Sequence, residues 1–131
     1  MICISFTPPD ELDISGTEQD LKAVFAQLNT LANGEETEVF IVADKNTNPA
    51  PYDEALNALI GRVTTGPTKV SVFDKNIEVI GSQASFVGFA SFFSFDEGAA
   101  QGAHNHHEYY EGNPYVHPQS VPLIVSVRSA K

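Results

Sequence analysis

All four histidines of this 131-residue chain, His104, His106, His107 and His117, fall in one stretch, and so do three of its four tyrosines, Tyr109, Tyr110 and Tyr115. Glu108 and Glu111 lie among them. Imidazole and carboxylate are ordinary ligands of zinc and other transition metals, so the first chemistry this composition suggests is a metal site. The spacing does not match it. No His-Glu-x-x-His run occurs, and no regular element is evident that would hold ligands rigidly. Nucleophilic catalysis is no better served, because Ser120 lies near His117 but no Gly-x-Ser-x-Gly turn presents it. Glu108 and Glu111 could form a carboxylate pair, yet without a pocket nothing favours that over two solvated charges. A small metal-dependent enzyme built on 104–117 stays as the alternative. The leading expectation is a non-catalytic segment with no metal and no cofactor.

A contact surface uses the same residues differently. Residues 96–122 form an apparent connection with no clean helix or strand pattern. Connections beyond roughly 12–15 residues are usually functional or disordered. The tyrosines argue against disorder, since aromatic rings seek partners and supply large rigid contact area at low entropy cost. The expected partner-binding set is His106, His107, Glu108, Tyr109, Tyr110, Glu111 and Tyr115, with Asp96 and Glu97 adding charge. Were the segment extended, Tyr109 and Tyr110 would point to opposite sides, one in and one out.

The whole chain carries a formal charge of −10, from seventeen acidic and seven basic side chains, and no Lys or Arg occurs between Asn76 and Val127. Nucleic-acid binding rests on clustered cations that neutralise phosphates, so half the chain offers nothing for it. A nucleotide or anionic-lipid site is disfavoured for the same reason, and no glycine-rich phosphate loop is present. A field of this sign attracts a basic macromolecule. The single cysteine, Cys3, excludes an internal disulfide and reads as a small buried hydrophobe on a strand. Without a signal-peptide pattern or a run of 18 apolar residues, the expected compartment is the cytoplasm, with no membrane partner.

The elements that must hold this segment show a duplicated plan within a single domain, 1–131, with pseudo-repeats 1–66 and 67–131. An offset of 65 places Leu12-Asp13-Ile14-Ser15-Gly16-Thr17 over Ile77-Glu78-Val79-Ile80-Gly81-Ser82. Leu21, Val24, Phe25 and Leu28 then fall over Phe86, Phe89, Ala90 and Phe93, and both sets keep to i, i+3, i+4, i+7, one face of a helix. Thr17 and Ser82 stand where N-caps belong, Asp20 in the third position past Thr17 makes a weaker form of the capping box, and Asn33-Gly34 closes the first helix. Five phenylalanines in 86–95 would also suit a buried strand, but the repeat and the Ser82 cap favour a helix. Alternating residues predict strands at Ile2–Phe6, Leu12–Ile14, Glu38–Ala43, Val70–Val72, Ile77–Val79 and Leu123–Val127. The expected fold is therefore α+β: a two-layer sandwich from a duplicated ββαβ unit, its two main helices on one face of an antiparallel-rich sheet of about six strands. Between the copies, Asn46–Pro51 reads as a loop and Tyr52–Ile60 as a short helix ended by Gly61. Self-association is open, monomer or homodimer, with Ile2–Phe6 and Leu123–Val127 as candidate free edges.

The run Glu-Leu-Asp-Ile-Ser-Gly-Thr at 11–17, the turn Val-Ile-Gly-Ser at 79–82, His-His-Glu-Tyr-Tyr-Glu-Gly-Asn-Pro-Tyr at 106–115 and Ser-Val-Pro-Leu-Ile-Val at 120–125 resemble the immunity protein 32 family of bacterial polymorphic toxin systems. The matching positions are Gly16, Gly81, His107, Glu108, Tyr109, Tyr110, Gly112, Pro114, Tyr115, Ser120, Pro122 and Leu123. The family pattern has a proline before the glycine and a histidine after it; Glu111 and Asn113 stand there instead. The resemblance implies a non-catalytic protein that binds and neutralises a cognate toxin. With this charge, the toxin would be a basic domain of the nuclease or deaminase type. A protein-interaction subunit unrelated to toxins is the second alternative.

Overall fold

A computed structural model describes residues 1–128, with two α-helices and nine β-strands. In chain order these are β1 (Cys3–Thr7), β2 (Glu11–Gly16), α1 (Glu18–Ala32), β3 (Glu38–Val42), β4 (Glu54–Ala55), β5 (Ala58–Val63), β6 (Lys69–Phe73), β7 (Asn76–Gly81), α2 (Gln83–Ser91), β8 (His104–His107) and β9 (Leu123–Val127). The class is α+β with two helices, and five of the seven strand pairings are antiparallel. Rather than one sheet of about six strands there are two mixed sheets, ordered β4-β1-β2-β9-β8 and β3-β5-β7-β6.

Both helices start as their sequences dictate. Thr17 Oγ1 accepts from the Asp20 N–H at 3.1 Å while the Asp20 carboxylate accepts from the Thr17 N–H at 3.0 Å, a complete capping box. Ser82 caps α2 by one half of that arrangement, its Oγ accepting from Ser85 N at 3.1 Å. Gly34, at φ 81°, takes the left-handed position after α1 that a side chain would resist. The helices pack on each other and share one core with the inner faces of both sheets. Leu21, Val24, Leu28 and Leu31 face Phe86, Phe89 and Phe93 within that core. At Gly61 of β5, a Cβ would stand 2.9 Å from Leu31 Cδ1 and 3.6 Å from Phe86 Cε1.

The two halves share a pairing scheme, and it differs from the ββαβ plan. Each half opens with an antiparallel hairpin, β1-β2 and β6-β7, and each hairpin takes a parallel neighbour from the other half: β9 joins β2, and β5 joins β7. An outer antiparallel strand completes each set, β8 on β9 and β3 on β5. The counterpart of β3 is thus β8, not β9 as the ββαβ plan assigns it. By register, Ile41 opposite Leu59 corresponds to His107 opposite Leu123.

Three further expectations are corrected. Tyr52–Ile60 is not a helix but carries β4 and the start of β5; Leu56, Leu59 and Ile60 fit a helical period, yet the slot between β3 and β7 selects the extended form. Within the apparent 96–122 connection lies β8, whose polar letters His-Asn-His-His hid a strand. The suggested edges are not free either: β1 lies between β4 and β2, and β9 between β2 and β8.

Candidate partner-binding surface

Strand alternation divides the histidine cluster. β8 pairs with β9 in the register His104↔Ser126 and His107↔Leu123, so His107 turns into the core while His104 and His106 face outward. His107 is 1% exposed and sits edge-on to Phe89 and Phe92, both with ring centroids 5.0 Å away. Burial pushes its pKa down to about 4, so the ring is neutral. Its Nδ1 is buried and has no hydrogen-bond partner among the described residues. His107 therefore supports the surface from below. Outside, the His104 and His106 rings meet edge to face at 4.9 Å, and His104 Nδ1 lies 2.9 Å from the Gly102 carbonyl oxygen. His117 is placed elsewhere, in the turn beyond Val116, where its Nδ1 accepts from Gln119 N. Among the described residues no three His, Cys, Asp or Glu side chains converge as a metal site would require.

Beyond β8 the chain forms a flap, residues 108–114, pinned at both ends. On the leading side, β8 is zipped to β9, and Asn105 Nδ2 donates to the Phe92 carbonyl at the end of α2. On the trailing side, the chain runs along the edge of β6. Thr68 N donates to Tyr115 O, His117 N to Thr68 O, Val70 N to Ser120 Oγ and Val121 N to Val70 O, all at 2.8–2.9 Å. Val116 and Ser120 are buried there. Inside the flap, Asn113 N donates to Tyr110 O, and the Asn113 side chain accepts from Tyr115 N.

The pinned flap exposes the residues that the sequence singles out. Tyr110 and Tyr115 are 66% and 62% exposed, and Glu108 and Glu111 are exposed as well. Tyr109 is also exposed, at 37%, so the expected in-and-out division of the two tyrosines does not occur: the chain leaves the strand at His107. No ion pair among the described residues uses Glu108, Glu111, Asp96 or Glu97.

Tyr110 and Tyr115 form one wall of a cleft of about 370 Å³ whose other wall is α2, with His107 and Phe92 also lining it. Gly88 opens that wall, since a Cβ there would meet nothing within 4 Å. On the other side of His106, a smaller recess of about 280 Å³ is lined by Asp10, Glu11, Glu108 and Tyr52. Glu97 lies apart, in a groove of about 610 Å³ beside α1 that includes Lys22 and none of the flap. Asp96 is exposed in the same turn and lines neither flap recess. The structure thus brings His106, His107, Glu108, Tyr110 and Tyr115 together and leaves Asp96 and Glu97 outside that group.

Asp10, Glu11 and the α2 wall are not singled out by the sequence. Asp10 and Glu11 are distant in sequence and join only because β2 pairs with β9. The α2 wall did leave a trace, because glycine at a mid-helix position such as Gly88 is costly and serves no cap. Asp13 lies on the outer face of β2, its carboxyl raised by burial although Ser126 Oγ donates to it at 3.2 Å and His104 lies near.

No family model, curated protein or solved structure compared with the chain matches it. No helix among the described residues is long and apolar enough to cross a membrane.

Proposed function

We propose that this chain is a non-catalytic binding protein, an immunity protein that neutralises a basic toxin domain by seating it on the 108–114 flap and the adjoining Tyr115. The observation that carries the reading is a stretch of unpaired carboxylates and exposed tyrosine rings on a backbone held at both ends. Pinning removes most of the ordering cost of association, which is what a loop must avoid if it is to bind tightly. Glu108 and Glu111, with Asp10 and Glu11 across the recess, supply the negative field, and Tyr110 and Tyr115 supply the apolar anchors. The resemblance of 104–125 to immunity proteins supplies the partner class, and the charge supplies its sign. A nuclease or deaminase domain fits, since such enzymes present cations to phosphate and an acidic surface competes for them.

The test is co-expression with the product of the adjacent reading frame. Wild-type protein co-purifies with it and restores growth, whereas Tyr110→Ala, Tyr115→Ala and Glu108→Gln lose protection without losing their fold. Protection left intact by all three would rule out the flap as the contact surface.

A further inference from the structure

The two sheets have four edges, and they are not alike. β4 is two residues long, β8 is the polar run His-Asn-His-His, and β6 is covered by residues 115–121. β3 is different: it reads Glu-Val-Phe-Ile-Val and has a strand neighbour on one side only. Its bonding phase is set by its flanks. Val63 N donates to Thr37 O and Ala43 N to Asn57 O, so Thr37 and Ala43 face β5, as do Val39 and Ile41 between them. The N–H and C=O groups of Glu38, Phe40 and Val42 therefore point off the edge. That edge is engaged at its C-terminal end, where the parallel Ile2–Ala43 bridge and the bond from Asp44 N to Ile2 O lay Ile2 alongside Val42. No proline, lysine or bulge blunts it, and natural proteins rarely leave an apolar edge in that state.

The outer face of the same sheet adds a second observation. The helices cover the side to which Gly61 points, next to Leu31 and Phe86. The opposite side carries Phe40, Val42 and Phe73, exposed at 59%, 57% and 76%, with Ile60 and Ile80 half-buried between them. Charge supplies the third. Across this face Glu38 and Glu78 are balanced by Arg62 and Lys69, with Arg62 bonded to Glu38 at 2.7 Å and to Glu78 at 3.1 Å. In a chain of net charge −10 this is a locally neutral, apolar surface, on which two copies can meet without like-charge repulsion.

We propose that β3 pairs with β3 of a second copy, antiparallel about a two-fold axis at Phe40, to form a homodimer with a continuous eight-stranded sheet. Because the backbone groups of Glu38 and Phe40 face outward clear of Ile2, centring the axis on Phe40 sets its backbone groups against the same groups of the copy. The register is self-complementary, as a two-fold interface must be. A basic partner is drawn to the unpaired acids of the flap, not to this balanced face, so the two surfaces serve different occupants.

The test is site-directed crosslinking with sedimentation. A hydrogen-bonded antiparallel pair holds its Cα atoms about 5.5 Å apart, within disulfide reach. Phe40→Cys should therefore oxidise to a covalent dimer, while Phe73→Cys, at the far edge of the same face, and the wild type, whose Cys3 is buried, should stay uncrosslinked. Wild-type protein should sediment at twice the 14.2 kDa chain mass. Phe40→Lys, at an exposed site, should weaken association about 100-fold or more while the monomer keeps its native circular dichroism. A monomer at about 100 μM, where an interface of useful affinity is filled, overturns the proposal. So does equal crosslinking at residues 40 and 73, or a dimer that survives Phe40→Lys.

Discussion

His107 occupies the place that Ile41 fills in the other half, opposite a buried leucine on the neighbouring strand. An imidazole there must be neutral, and burial holds its pKa near 4 against an ordinary 6.5. The unfolded chain binds a proton at higher pH than the folded one does, so stability is fully present above about pH 6.5 and is lost as the pH falls toward 4. The expected loss is roughly 3 kcal/mol. His107→Leu should remove that acid dependence in denaturant titrations, and at pH 7 it should be neutral or stabilising, because it deletes a buried nitrogen without a partner. Asp13 is the opposite case: burial raises its carboxyl, so its charged form is disfavoured in the fold and stability falls as pH rises through its titration. Asp13→Asn should raise the melting temperature at pH 7. Neither role was legible from residue type alone. His106 and His107 are the same letter, and only the register of β8 decides which one is core.

At the scale of elements, the frame was readable because local signals repeat: the hydroxyl caps, the apolar faces of α1 and α2, and the alternating hairpins at both ends of the 65-residue offset. The exchange of strands between halves was not readable, because β5 and β9 find their parallel neighbours through contacts remote in sequence. The same non-local pairing turned Ala58–Val63 into a strand and brought Asp10 and Glu11 to the flap. Ser120 is the element-scale test of how the flap is held. Its Oγ accepts from Val70 N in a buried setting, so Ser120→Ala leaves that N–H unpaired at a cost of about 1–3 kcal/mol. Amide exchange in 108–121 should quicken while exchange in α1 stays unchanged. Gly61→Ala should cost a similar amount, about 1–3 kcal/mol, by driving a methyl into Leu31 and Val39, and chemical denaturation would register it.

For the whole molecule, the distribution of charge separates two surfaces. The flap and its recess are acidic and unpaired, while the outer face of the β3-β5-β7-β6 sheet is balanced and apolar. Association with a basic partner should therefore slow markedly as salt rises past the range where the Debye length is about 8–10 Å, with a smaller change in dissociation rate. Stopped-flow or surface-based kinetics would separate the two rates. The most direct measurement is calorimetric titration of the adjacent reading frame's product with the Tyr110→Ala/Tyr115→Ala double variant. A loss of affinity of about 100-fold or more, with thermal unfolding unchanged, is the predicted result. Wild-type affinity in a correctly folded double variant would contradict the flap as the binding surface.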